Sequence, residues 1–130
     1  TITNTIDVYR ANMDSIVMIL QQETNAKLVF VSTTYVPEDE EGRFYEDAMT
    51  YNDVAMEIMQ KHGVRVLDMY DKSAEIHRAH GMGSDNVHFT KEGYQKLSED
   101  IVPILKDMLN IQKYPTSDKE RCPCCGQAIN

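Results

Sequence analysis

The chain has 130 residues, enough for one domain around a single core and too few for two ordinary ones. Thirteen Lys and Arg against twenty-one Asp and Glu leave a formal charge of −8, which removes the attraction that drives binding to nucleic acid or to an anionic membrane. No stretch is apolar for long enough to cross a bilayer, the opening TITNTIDVYR lacks the basic start and apolar run of a secretory signal, and all three cysteines fall in the last nine residues, so no disulfide framework builds the fold.

In chain order, Ile6, Tyr9, Met13, Ile16, Val17 and Leu20 recur at helical steps and predict one amphipathic helix, with an exit near Asn25. KLVFVST follows, and its run of apolar residues reads as a parallel strand buried on both faces. TTYVPEDEEGRFYED, with a Pro, a Gly and a run of four acids, reads as a long exposed loop. Tyr51, Ala55, Ile58, Met59 and His62 mark a second helix closed by Gly63, and VRVLDM reads as a second short strand. A polar helical turn or two carries His77 and His80 into the Gly-rich GMGSD. Thr90 is then a plain N-cap, and Tyr94, Leu97, Ile101, Ile104, Leu105 and Met108 predict a final helix, kinked or broken at Pro103.

Helix and strand alternate, which implies an α/β layered domain with a parallel sheet, because parallel neighbours need helical crossovers. Two strands cannot cover the apolar faces of these helices. The remaining strands are therefore expected upstream or in a partner chain. Residues 1–110 form the domain in this reading, and residues 111–130 a polar linker with a Cys-rich tail.

SDNVHFTKEGY carries the pattern with most chemistry in it. Asp85 precedes His88 by three residues, in a loop that leads into a helix, and open α/β sheets gather their working groups at the carboxyl ends of the strands. For acyl transfer an imidazole takes a proton through one ring nitrogen while a carboxylate fixes the other. The alternative is a turn made by Asp85 and Asn86 with a histidine that merely packs, and by spacing alone that is the commoner outcome.

Taken with its surroundings, DNVHFTKEGYQKLSEDI resembles the last sequence block of the SGNH, or GDSL-type, ester hydrolases. YRANMDSIVMILQQETNAKLVFVSTTYVP and YNDVAMEIMQKHGVRVLDMY follow the order of that family's second half, so the resemblance spans about residues 6 to 110. It implies part of a three-layer, flavodoxin-like hydrolase fold lacking its N-terminal strands. It also implies an acyl ester as substrate, an acetylated carbohydrate among the candidates, with no cofactor required. Asp85 would be the orienting acid and His88 the general base. The family's Gly-Asp-Ser nucleophile block and its oxyanion blocks do not occur in these residues, and Ser32 and Ser84 read as structural, so this chain alone is expected not to turn over esters.

A non-catalytic α/β binding module is the alternative from a different class. A nucleotide-binding domain is a weaker third, since no phosphate-cradling Gly-rich loop follows either strand. At the tail, CPCCG places Cys122 and Cys125 at the spacing of a zinc knuckle, or else forms a redox-labile thiol cluster; its thiols point to a reducing, cytoplasmic type of compartment. His77 and His80, one turn apart, read as a solvated face, His62 as a cation at a helix C-terminus, the EDEE run as loop solvation and the eight Met residues as packing.

Overall fold

In the computed structural model, which describes residues 4–110, 121–122 and 127–128, Thr5 opens the first helix. Its hydroxyl accepts the Val8 N–H at 3.4 Å, and α1 runs Ile6–Glu23. The helix stops at Thr24 rather than at Asn25, because the Thr24 N–H and hydroxyl both turn back onto the Leu20 carbonyl, at 3.2 and 2.6 Å. After β1 (Val29–Val31) the second helix, α2 (Tyr45–His62), begins well before Tyr51. Glu46 and Asp47, which in the sequence look like more of an acidic loop, sit in its first turn, where the helix dipole favours them. Gly63 ends α2 at φ 69°, a left-handed conformation that costs a glycine nothing.

β2 (Arg65–Leu67) pairs with β1 in parallel, Val29 beside Arg65 and Val31 beside Leu67. α3 (Tyr70–His80) is a full helix rather than a turn or two, and α4 (Lys91–Met108) is capped by the Thr90 hydroxyl, which accepts the Gly93 N–H at 3.2 Å. Pro103 lies inside α4 without breaking it. The chain divides into two compact units, residues 1–99 and 100–130, so the division falls beside Glu99, whose carbonyl is the one Pro103 leaves without a helical donor. In the second unit β3 (Arg121–Cys122) and β4 (Gln127–Ala128) pair antiparallel. The linker over residues 111–120 and Cys125 lie outside the described residues, and of Cys122 only the backbone is described.

Side chains of a strand alternate between faces, and here the alternation builds layers. Phe30 and Val66 pack with Val17 of α1 and with Ile58 and Met59 of α2. Val31 and Leu67 pack on the other face with Met69, Ile76 of α3, Phe89 and Leu97 of α4. The α/β class and the parallel pairing are as the alternation implied. The strand differs in one respect: β1 is half-buried rather than buried, because among the described residues it has a strand neighbour on one edge only. The methionines also divide, Met59 and Met69 being core while Met18, Met49 and Met82 are exposed. Among the described residues no helix is long and apolar enough to cross a membrane.

α1 and α2 are tied at their surface as well as through Val17. Asp14 accepts from His62 Nε2 at 2.6 Å and from Lys61 at 3.1 Å, so His62 has an acid partner in addition to its place at the helix end. The His62 bond, then the Lys61 bond, hold the Asp14 carboxyl below its ordinary value of 3.8. A carboxylate lowered in the folded state stabilises the fold above its unfolded value, and that contribution disappears as pH falls through the lowered one. Asp14→Asn should therefore reduce Tm at pH 6, with the difference from wild type vanishing by about pH 3 in a thermal-melt series, the acid end where linkage places the loss.

Candidate active site

The carboxyl ends of β1 and β2 are fixed by buried polar side chains. Ser32 follows β1; its hydroxyl donates to Asp68 Oδ1 at 3.0 Å and accepts the Met69 N–H at 2.8 Å, while its own N–H extends the ladder to the Leu67 carbonyl. That hydroxyl is committed on both sides, in keeping with a structural serine. Asn52 of α2 faces Thr33 as a neighbouring strand would, its oxygen accepting the Thr33 N–H at 2.8 Å and its amide donating to the Thr33 carbonyl at 2.9 Å. Ser73 of α3 accepts the Tyr35 N–H at 2.9 Å. Each of these side chains is buried, and unpaired backbone groups beside them would cost about 1–3 kcal/mol apiece.

The loop between α3 and α4 is held with similar completeness. His77 Nε2 donates to the Asn86 carbonyl at 2.7 Å, and its ring stands between Tyr35 and Phe89, with centroids 5.5 and 5.3 Å away. The Asn86 side chain accepts the His88 N–H at 2.8 Å, the His88 carbonyl accepts the Met82 N–H at 3.0 Å, and the His80 carbonyl accepts the Thr90 N–H at 2.8 Å. Glu40 reaches across from the loop after β1 to accept the Val87 N–H at 3.0 Å. The backbone around His88 is thus fixed from four directions while its imidazole stays exposed. Nδ1 of that ring lies 3.3 Å from the Tyr94 hydroxyl. Asp85 is exposed on the same loop, and among the described residues its carboxylate makes no hydrogen bond to His88. Catalytic hydrogen bonds commonly close only once substrate is bound.

Two clefts open at this end of the sheet. The first, about 460 Å³, runs from Pro37, Glu38 and Asp39 across Tyr35 and His77 to Gly83 and Ser84. The second, about 420 Å³, is lined by Tyr9, Thr33, Val36, Phe44 and Tyr51 among others, and Tyr9 and Tyr51 meet edge to face at 4.9 Å. Burial pushes the Tyr9 phenol up, so it stays protonated at neutral pH. Neither cleft counts Asp85 or His88 in its wall; the first stops at Ser84, the residue before Asp85.

Several residues have roles that periodicity could not assign. His77 is buried and occupied at Nε2, so it and His80 are not a solvated pair. Glu40 is withdrawn from the acidic run that reads as solvation, while Glu38, Asp39 and Glu41 are exposed. Asn52 is buried on α2 with both of its bonds going to Thr33, a role no periodic spacing marks. Among the described residues no cluster of three or more His, Cys, Asp or Glu is placed to hold a metal ion.

A model of the GDSL-like lipase/acylhydrolase family matches residues 1–101. Among curated proteins none matches the chain.

Proposed function

Because the chain belongs to the GDSL-like lipase/acylhydrolase family, we propose that it supplies the acid and the base of a serine ester hydrolase, His88 as general base and Asp85 as the carboxylate that orients it. One observation carries this reading: the N–H and carbonyl of His88 and the N–H groups of Val87 and Thr90 are all hydrogen-bonded, while His88 itself is exposed on its loop. So many polar contacts made around one exposed side chain are of little use to packing alone. They suit a side chain that has to meet a reacting atom within a few tenths of an ångström.

In this mechanism the imidazole takes the proton of a serine hydroxyl as it attacks the ester carbonyl, then returns it to the leaving alkoxide. The family's serine comes from a Gly-Asp-Ser block, and its oxyanion donors from that serine's backbone together with a glycine and a Gly-x-Asn-Asp block, none of which these residues contain. Without donors aimed at the developing oxyanion the barrier stays high, and the chain alone is inactive. The alcohol portion of the ester, an acetylated carbohydrate in one version of this reading, would enter the first cleft, beside Ser84.

The test is an assay of a short-chain chromogenic ester with the chain alone and with the same chain extended through its upstream coding region. Turnover by the extended protein, and none by residues 1–130 beyond that of free imidazole, is the expected result. An upstream region that starts without a Gly-Asp-Ser block, with no turnover in either protein, would favour the non-catalytic binding module.

A further inference from the structure

We propose that Glu40 is a positioning residue whose carboxylate latches the acidic loop after β1 onto the loop that carries His88. What the latch serves rests on the hydrolase reading above; the latch itself rests on geometry. The Asn86 carbonyl and the Val87 N–H belong to one peptide unit, and that unit is gripped at both ends: His77 donates to its oxygen at 2.7 Å, and Glu40 accepts from its nitrogen at 3.0 Å. One grip comes from α3 and the other from the loop after β1. The plane cannot rotate without breaking both bonds, and His88 is the second residue beyond it.

The carboxylate is suited to the task. Its side chain is only 15% exposed in a run of exposed acids, a turn from the Glu40 N–H to the Pro37 carbonyl (3.2 Å) directs it inward, and its second oxygen lies 3.4 Å from the Arg43 guanidinium. A carboxylate on a backbone N–H makes a stronger bond than a neutral acceptor does. The latch joins the two loops that both contribute to the first cleft, Pro37, Glu38 and Asp39 from one and Gly83 and Ser84 from the other. Glu40 therefore sets the width of that cleft together with the position of the base.

Amide exchange followed by NMR on the chain tests the latch without any activity. Val87 is expected to be protected in wild type, to exchange at least about tenfold faster relative to Ala55 in Glu40→Ala, to stay within about threefold in Glu40→Gln, whose amide oxygen still accepts, and to be unchanged in Glu41→Ala. A Val87 amide that exchanges in wild type like an unstructured peptide, or one indifferent to Glu40→Ala, overturns the proposal. In the extended, hydrolytically active protein, Glu40→Ala should lower kcat about tenfold, Glu40→Gln should restore it, and Glu40→Ala should cost nothing further in a His88→Ala background. Lost protection with kcat intact overturns the positioning role. Absence of any His88-dependent turnover in the extended wild type removes the hydrolase reading, while the exchange result still decides the latch.

Discussion

His88→Ala in the extended protein is expected to lower kcat/KM for a short-chain ester by about 10²–10⁴, the usual contribution of a positioned acid–base group, with Tm within a few degrees of wild type. The small stability cost follows from the exposure of the ring, which packs little and whose backbone bonds survive the change. At about 1.36 kcal/mol per decade the activity loss is roughly 3–5 kcal/mol of transition-state stabilisation. The partner of Nδ1 separates two versions of the mechanism. The Tyr94 hydroxyl at 3.3 Å is long for a hydrogen bond to a ring nitrogen, so it contributes weakly, and Tyr94→Phe should cost only a few-fold. Asp85→Asn should approach the His88→Ala loss, because a neutral amide can neither hold the tautomer nor steady the imidazolium. If Tyr94→Phe proves the more damaging of the two, the orienting role belongs to the phenol, and Asp85 is a turn former.

What the sequence made legible was local. The 3.6-residue spacing from Ile6 to Leu20, the apolar run over residues 28–31, the stop at Gly63 and the cap at Thr90 all express physics acting within a few residues, and each lies where it was read. Asp85 and His88 could be picked out as a candidate pair because they are close in the chain, though no hydrogen bond joins them among the described residues. Asn52, Ser73 and His77 could not, since their bonds reach 19, 38 and 9 residues away to backbone atoms, and a side chain that pairs with a distant carbonyl leaves no periodic trace. α3 shows the difficulty best. In YDKSAEIHRAH the only large aliphatic residue is Ile76, so the burial of Ser73 and His77 on the same face is decided by the tertiary partners that satisfy them. The start of α2 was hidden for a related reason, because acids that favour a helix N-terminus look the same as acids that solvate a loop.

Two glycines beside the base loop carry the other large expectation. Gly81 has φ −85° and ψ 169°, which any residue adopts, so the whole cost of Gly81→Ala lies in contacts. A Cβ there would stand 2.6 Å from the His77 carbonyl oxygen and from Cε1 of its ring, and 2.7 Å from Cδ2. The contact with the carbonyl forces the backbone at Gly81 to shift, the contacts with the ring force the imidazole to yield, and its yielding releases the Asn86 carbonyl. At Gly93 the added carbon would meet the His80 carbonyl and the Phe89 Cβ, both at 2.8 Å, in the turn where His80 also holds the Thr90 N–H. Overpacking of this kind costs about 1–3 kcal/mol for each change, or a fall in Tm of roughly 3–8 °C per kcal/mol in a domain of this size. The double variant should lose less than the sum, since both changes press on the last turn of α3 and the first relieves part of what the second strains. The two should differ in function: Gly81→Ala loosens the peptide unit ahead of His88 and should speed Val87 exchange more than that of Ala55, whereas Gly93→Ala should move both amides together. Val87 exchange unaffected by Gly81→Ala would mean that the His77 ring does not hold the loop, and the imidazole at 88 would then lose the support on which its proposed role as the base depends.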